Sequence, residues 1–111
     1  MDVYLATKDL EKLCNSASAG DRRWGDQSAK VIRRRLAQLG AATSLQDMHQ
    51  LSGAHPHELG GERAGQLAVN GKGGMRIIFV PEHDPPPRKP DGGLDWSRVT
   101  AIRILAIMDY H

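Results

Sequence analysis

Leu10, Leu13, Cys14 and Ala17 fall at i, i+3, i+4 and i+7, the spacing of one helix face. Thr7 is placed to N-cap that helix and Gly20 to end it. A second stripe, Ala29, Ile32, Leu36 and Leu39, predicts a helix from Asp26 to about Leu39, with Gly40 just past its end. The opposite face of that helix carries Lys30, Arg33, Arg34 and Arg35. A short third helix is expected from Ser44, with Asp47 as a capping-box partner and Leu45, Met48 and Leu51 turned inward.

In the second half the period changes. MRIIFV (75–80) and VTAIRILAIM (99–108) are rich in β-branched residues and flanked by glycine or proline, so they read as strands. Leu67–Val69 is a weaker strand, and Val3–Leu5 is a short one that can join the same sheet. Asn70-Gly71 and Gly73-Gly74 both supply the positive φ of a hairpin turn between 66–70 and 75–80. The pair 75–80 and 99–108 closes a second hairpin. The element order is β-α-α-(α)-β-β-β. It predicts an α+β fold, with N-terminal helices packed on a mostly antiparallel sheet of three to four strands. Alternation within 75–80 puts Met75, Ile77 and Phe79 on one face and Arg76, Ile78 and Val80 on the other.

Composition sharpens this picture. A length of 111 residues suits a single domain, 1–111, and 40% apolar with 25% charged residues is a soluble balance. Five of the six prolines lie in 81–98, which predicts a long polar loop inserted between the last two strands. No apolar run approaches the ~20 residues of a membrane span. The N-terminus lacks the features of a secretory signal, and one cysteine cannot form an internal disulfide. A cytoplasmic protein without a membrane partner is expected. The net charge of +2 is spread evenly, so a nucleic-acid site must come from folding selected cations onto one face.

Candidate chemistry is sparse. Asn70-Gly-Lys-Gly-Gly lacks the spacing of a phosphate-binding P-loop and reads as a turn. His55 and His57 are a conceivable metal pair, with Glu58, His83 or His111 to complete it, but solvated histidines are the commoner outcome. Arg76 is either a snorkelling edge charge or an anion binder. Asp109, Tyr110 and His111 place three polar side chains in a row after a long apolar strand.

These residues resemble the HigB-type toxins of the RelE/ParE toxin–antitoxin superfamily. His55-Pro56, Gly61-Glu-Arg63-Ala-Gly65, Met75-Arg76-Ile-Ile-Phe79 and Asp109-Tyr110-His111 appear in the family's order, spread over most of the chain. The resemblance implies a compact RelE-like fold and a ribosome-dependent endoribonuclease that cleaves mRNA without a metal or other cofactor. It implies a HigA-type antitoxin as partner, and mRNA on the ribosome as substrate. His55, Lys72, Arg76, Asp109, Tyr110 and His111 fall on the family's active-site positions. Lys30, Arg33, Arg34 and Arg63 are the expected RNA or ribosome contacts. Such cleavage uses the RNA's 2′-hydroxyl as nucleophile, so it needs a base, an acid and cations around the phosphorus. The histidines suit acid and base roles, Arg76 a bidentate phosphate clamp, and Tyr110 stacking on a nucleobase.

This sequence departs from the family in four places. No lysine follows His55-Pro56, where His57 and Glu58 stand instead; Lys72 stands where arginine is usual and Met75 where an aromatic is usual; and the 81–98 loop is long. The alternative is a binding protein on the same scaffold, without cleavage or directed at a protein target as gyrase-directed ParE-type relatives are.

Overall fold

Thr7 lies two residues past the first strand and starts the first helix. Its hydroxyl accepts from the Leu10 N–H at 3.1 Å, the N-cap bond expected from the sequence. The computed structural model describes residues 1–110; His111, a candidate site residue, lies outside them. The elements are β1 (Asp2–Leu5), α1 (Lys8–Asn15), α2 (Ala17–Trp24), α3 (Asp26–Ala41), β2 (His57–Glu58), β3 (Leu67–Asn70), β4 (Met75–Pro81) and β5 (Ala101–Asp109). A 3-10 helix spans Leu45–Gln50, where the third helix was expected.

Replacing Thr7 by alanine removes a side-chain acceptor from the first turn of α1, at a cost of about 1 kcal/mol. Urea unfolding should show a lower midpoint with an unchanged slope.

The first helical stripe is interrupted. Ser16 leaves helical geometry, ends α1, and caps α2 by accepting from the Ala19 N–H at 3.3 Å. Gly20 therefore does not stop a helix. It lies buried inside α2, where a Cβ would come within 3.2 Å of the Leu13 carbonyl and 3.1 Å of the Trp24 ring. The missing side chain lets α2 approach α1. Gly40 likewise sits inside α3, which continues to Ala41.

The sheet order is β1-β5-β4-β3-β2. β1 runs parallel to β5, and the other pairs are antiparallel. Among the described residues five strands are present rather than three or four. The extra one, β2, has two residues, too few for an alternation signal to register in the sequence. Leu10, Ile32 and Leu39 of the helices meet Leu67, Ile77 and Phe79 of the sheet in one core. That core takes up one sheet face, as periods of 3.6 and 2 dictate.

The 81–98 segment is more ordered than its composition suggests. Arg88 and Leu94 form an isolated bridge, and Leu94 and Val99 enter the core. Glu82 accepts from Arg103 at 2.7 and 3.1 Å, and that pairing holds its carboxyl below the ordinary range. No helix among the described residues is long and apolar enough to cross a membrane.

Candidate functional site

The sheet face turned away from the helices brings together three of the candidate residues, Arg63, Arg76 and Tyr110. Direct partners across a ladder share a face. Asn70, Arg76 and Met108 form one row across β3, β4 and β5. His57, Ala68, Ile78 and Ala106 form the neighbouring row, extended onto β2.

Arg63 comes from the connection between β2 and β3. Its Nη2 donates to the Met108 sulfur at 3.5 Å, and its guanidinium carbon lies 5.7 Å from the centre of the Tyr110 ring. Nη1 of the same residue donates to Gln66 at 2.9 Å. Met108 belongs to the Asn70 row, whereas the connection re-enters the sheet at Leu67. The contact therefore carries the 59–66 connection back over the second face, consistent with full burial of Ala68 and Ile78 there. Arg63 and Arg76 are thus brought to the same end of one face, with Tyr110 beside them. The Tyr110 N–H donates to the Gly74 carbonyl at 3.0 Å, which ties it to the turn that precedes Arg76.

Arg76 uses one nitrogen for the turn. Its Nη1 donates to the Met75 carbonyl at 2.9 Å and to the Gly73 carbonyl at 3.2 Å. Its Nε and Nη2 have no hydrogen bond among the described residues, so the outer fork is open for two oxygens of an anion.

His55 and His57 lie side by side, with ring centres 5.0 Å apart. His55 adopts a left-handed backbone, φ +42°, unusual for a residue other than glycine. Its carbonyl lies 2.8 Å from Nδ1 of His57.

Other expected residues are placed elsewhere. Lys72 lies in the β3–β4 turn, and its amine donates to Gln27 at the start of α3, so it leans toward the helix side. Asp109 pairs with Met75, and alternation puts both on the side opposite Arg76. Lys30 and Arg34 are exposed on the outer side of α3, with the helix layer between them and the sheet. Arg33 pairs with Asp21 at 3.2 Å. The polar-face expectation fails for Arg35, which is buried. Its Nε donates to the Asn70 carbonyl at 2.8 Å, and Nη1 donates to Gln38 at 3.0 Å. Burial and the nearby Arg34 lower its pKa, though guanidinium stays charged. Position 35 lies three after Ile32 and four before Leu39, so the helical period already placed it on the core stripe. Arg35 fastens α3 to the strand end from which the Asn70–Arg76 row begins.

Glu58 faces the other way from His57. It pairs with Leu67 on the core side, and its carboxylate accepts from the Trp96 indole at 3.3 Å. The Glu58 carboxylate is therefore directed to the side of the strand opposite His57. Among the described residues no group of three or more His, Cys, Asp or Glu side chains could hold a metal ion. His83, a conceivable third ligand, instead accepts from the Thr100 N–H at 3.1 Å.

No family model and no curated protein matches the sequence. The fold is similar to that of the YoeB/ParE toxin from Agrobacterium tumefaciens, with a TM-score of 0.58, 8% identity, and 100% of each chain covered. At this identity the likeness is one of architecture: the chain shares the α+β fold of that structure.

Proposed function

We propose that this chain is the toxin of a type II toxin–antitoxin pair, of the HigB type, and that it cleaves mRNA on the ribosome. The observation that carries the reading is the contact of Arg63 with Met108 and the Tyr110 ring, beside the sheet row that also carries Arg76. Two guanidiniums beside an aromatic ring suit a single-stranded ribonucleotide, with the phosphate held by the cations and a base stacked on the ring. The 2′-oxygen attacks phosphorus, and the cations stabilise the dianionic transition state. His111 follows Tyr110 directly and joins this proposal as a proton donor; Asp109 and Lys72 enter as flanking residues that shape the ends of the strand and turn. Lys30, Arg33 and Arg34 form a separate surface for ribosomal RNA. A HigA-type antitoxin, a second chain that restrains the toxin, completes the proposal.

The test is induction of the chain in a bacterial host, with mapping of new 5′ ends on translated mRNA. Growth arrest with cleavage inside reading frames, both lost in an Arg63→Ala/Arg76→Ala double variant, is the expected result. Arrest without cleavage would redirect the reading to a protein target, the behaviour of a toxin-like binding protein on this scaffold.

A further inference from the structure

We infer that the groove between the two arms of the 81–98 loop is a binding site for single-stranded RNA, separate from the sheet face that carries Arg76. The choice of RNA rests on the ribonuclease reading; the groove itself does not. The length of this loop is a departure from the resembled toxins, and the proposed cleavage uses none of its residues.

Fixed contacts hold the groove in shape. The Pro87 carbonyl on the outgoing arm accepts from the Asp95 N–H on the return arm at 2.9 Å, and Arg88 forms a bridge with Leu94. Nε2 of His83 accepts from the Thr100 N–H at 3.1 Å, just past the return arm. Leu94 and Val99 are anchored in the core, and Pro87 is buried. His83, Pro85, Pro86, Pro87, Arg88 and Arg98 line the hollow, which encloses about 640 Å³. That size falls within the ~300–1,000 Å³ of typical ligand sites. Because both arms are pinned, little ordering accompanies binding.

Both guanidiniums are under-used. Nη1 of Arg98 lies 4.0 Å from one Asp95 oxygen, while the other Asp95 oxygen accepts from the Ser97 N–H and hydroxyl. Arg88 has one long bond, from Nη1 to the Gly92 carbonyl at 3.5 Å. A guanidinium carries five N–H donors, so most stay free. With Nε2 committed as an acceptor, the neutral His83 ring carries its proton on Nδ1 and adds a further donor. Among the described residues no acid lines the groove. Glu82 is held by Arg103, Asp91 accepts from the Gly93 N–H, and Asp84 is exposed beside His83 without lining the hollow.

The prolines decide between kinds of anion. An acidic peptide laid along the groove needs main-chain donors, and Pro85, Pro86 and Pro87 have none. A nucleic-acid strand does not need them. Its phosphates take the guanidinium forks, and its bases lie against the flat guanidiniums and the apolar proline rings. Distance makes this a second site. β4 carries the chain five residues from Arg76 to Pro81, about 17 Å at the rise of a strand, before the groove begins. No single phosphate spans both.

The test measures binding of a short single-stranded RNA to the full-length chain by fluorescence anisotropy over a range of salt. The Arg63→Ala/Arg76→Ala variant is the background, so that cleavage does not consume the probe. In it, Arg88→Ala/Arg98→Ala should weaken binding about tenfold at low salt. The slope of log affinity against log salt should shrink by about 1.4, the counterion release of two contacts to a single strand. Lys8→Ala/Arg22→Ala removes the same charge from exposed positions on α1 and α2 and should leave the slope unchanged. Thermal melts should coincide, since all four positions are exposed. An equal effect of the two pairs overturns the inference, because net charge then explains it. Absence of RNA binding in the background overturns it as well. Polyglutamate bound in place of RNA assigns the groove to an acidic peptide instead, and adenosine monophosphate bound as tightly as RNA assigns it to a small ligand. A reduced slope in a chain that never cleaves leaves the groove standing and sinks the ribonuclease reading. Cleavage by the wild type with an unchanged slope does the reverse.

Discussion

Arg76→Ala is expected to slow mRNA cleavage by about two to three orders of magnitude, the usual penalty for removing one donor from a charged transition state. The expectation follows from its hydrogen bonds. Nη1 is committed to the Met75 and Gly73 carbonyls, which fixes the direction of the side chain. The remaining edge is held out as a pre-oriented fork, so little reorganisation accompanies the reaction. Arg76→Lys should recover only part of the rate, since an ammonium keeps the charge but cannot span two oxygens. Stability should hardly change. The bonds lost are two turn contacts at a half-buried position, each worth about 1 kcal/mol or less. Single-turnover cleavage beside a thermal melt separates the two effects. A rate within threefold of wild type would remove Arg76 from the site.

Phe79→Ala should produce the reverse pattern. Phe79 is fully buried, opposes Leu67 on β3 and Ile104 on β5, and lies in the core shared by helices and sheet. Removing a buried phenyl ring costs about 3–5 kcal/mol, through lost transfer energy and the cavity left behind. Against a total stability of about 5–15 kcal/mol, that is a large share. At roughly 4 °C per kcal/mol, the melting midpoint should fall by about 12–20 °C. Cleavage below the new midpoint should persist, since Phe79 faces away from Arg76. A midpoint within about 4 °C of wild type would mean that the sheet face is packed differently.

The two variants divide the sheet by face. Adjacent residues of β4 point to opposite sides, so Ile77 and Phe79 serve the core while Arg76 serves the candidate site. The same alternation separates His57 from Glu58 on β2. A one-residue slip of register in either strand would exchange these roles. The correct pairing is enforced by burial of the apolar set on the helix side. Arg35 adds a further constraint, because its bond to the Asn70 carbonyl fixes the end of β3 against α3.

Several elements were legible because their signals are local. Thr7 as a cap, the stripe through Ile32 and Leu39, and the alternation of β4 each depend on residues a few positions apart. The misses have equally local causes. Ser16 broke a stripe that spacing alone ran through, since a hydroxyl that caps the next helix competes with helical continuation. Gly20 and Gly40 looked like stops, yet a glycine inside a helix costs only about 1 kcal/mol, which packing can offset. The two-residue β2 had no period to detect.

By itself, the sequence determined the α+β order, the faces of the long strand, and the types of residue available for phosphate chemistry. These follow from backbone periodicity and side-chain chemistry, which neighbouring residues set. Only the tertiary structure decided which of those residues meet. Arg63 reaches Met108, 45 positions away in the chain, because the connection after β2 folds back over the sheet face turned away from the helices. Lys72 turns to Gln27, also 45 positions away, and Arg35 turns inward to Asn70. Such contacts depend on strand order and on which apolar surfaces close against each other, and no short window of sequence contains that information.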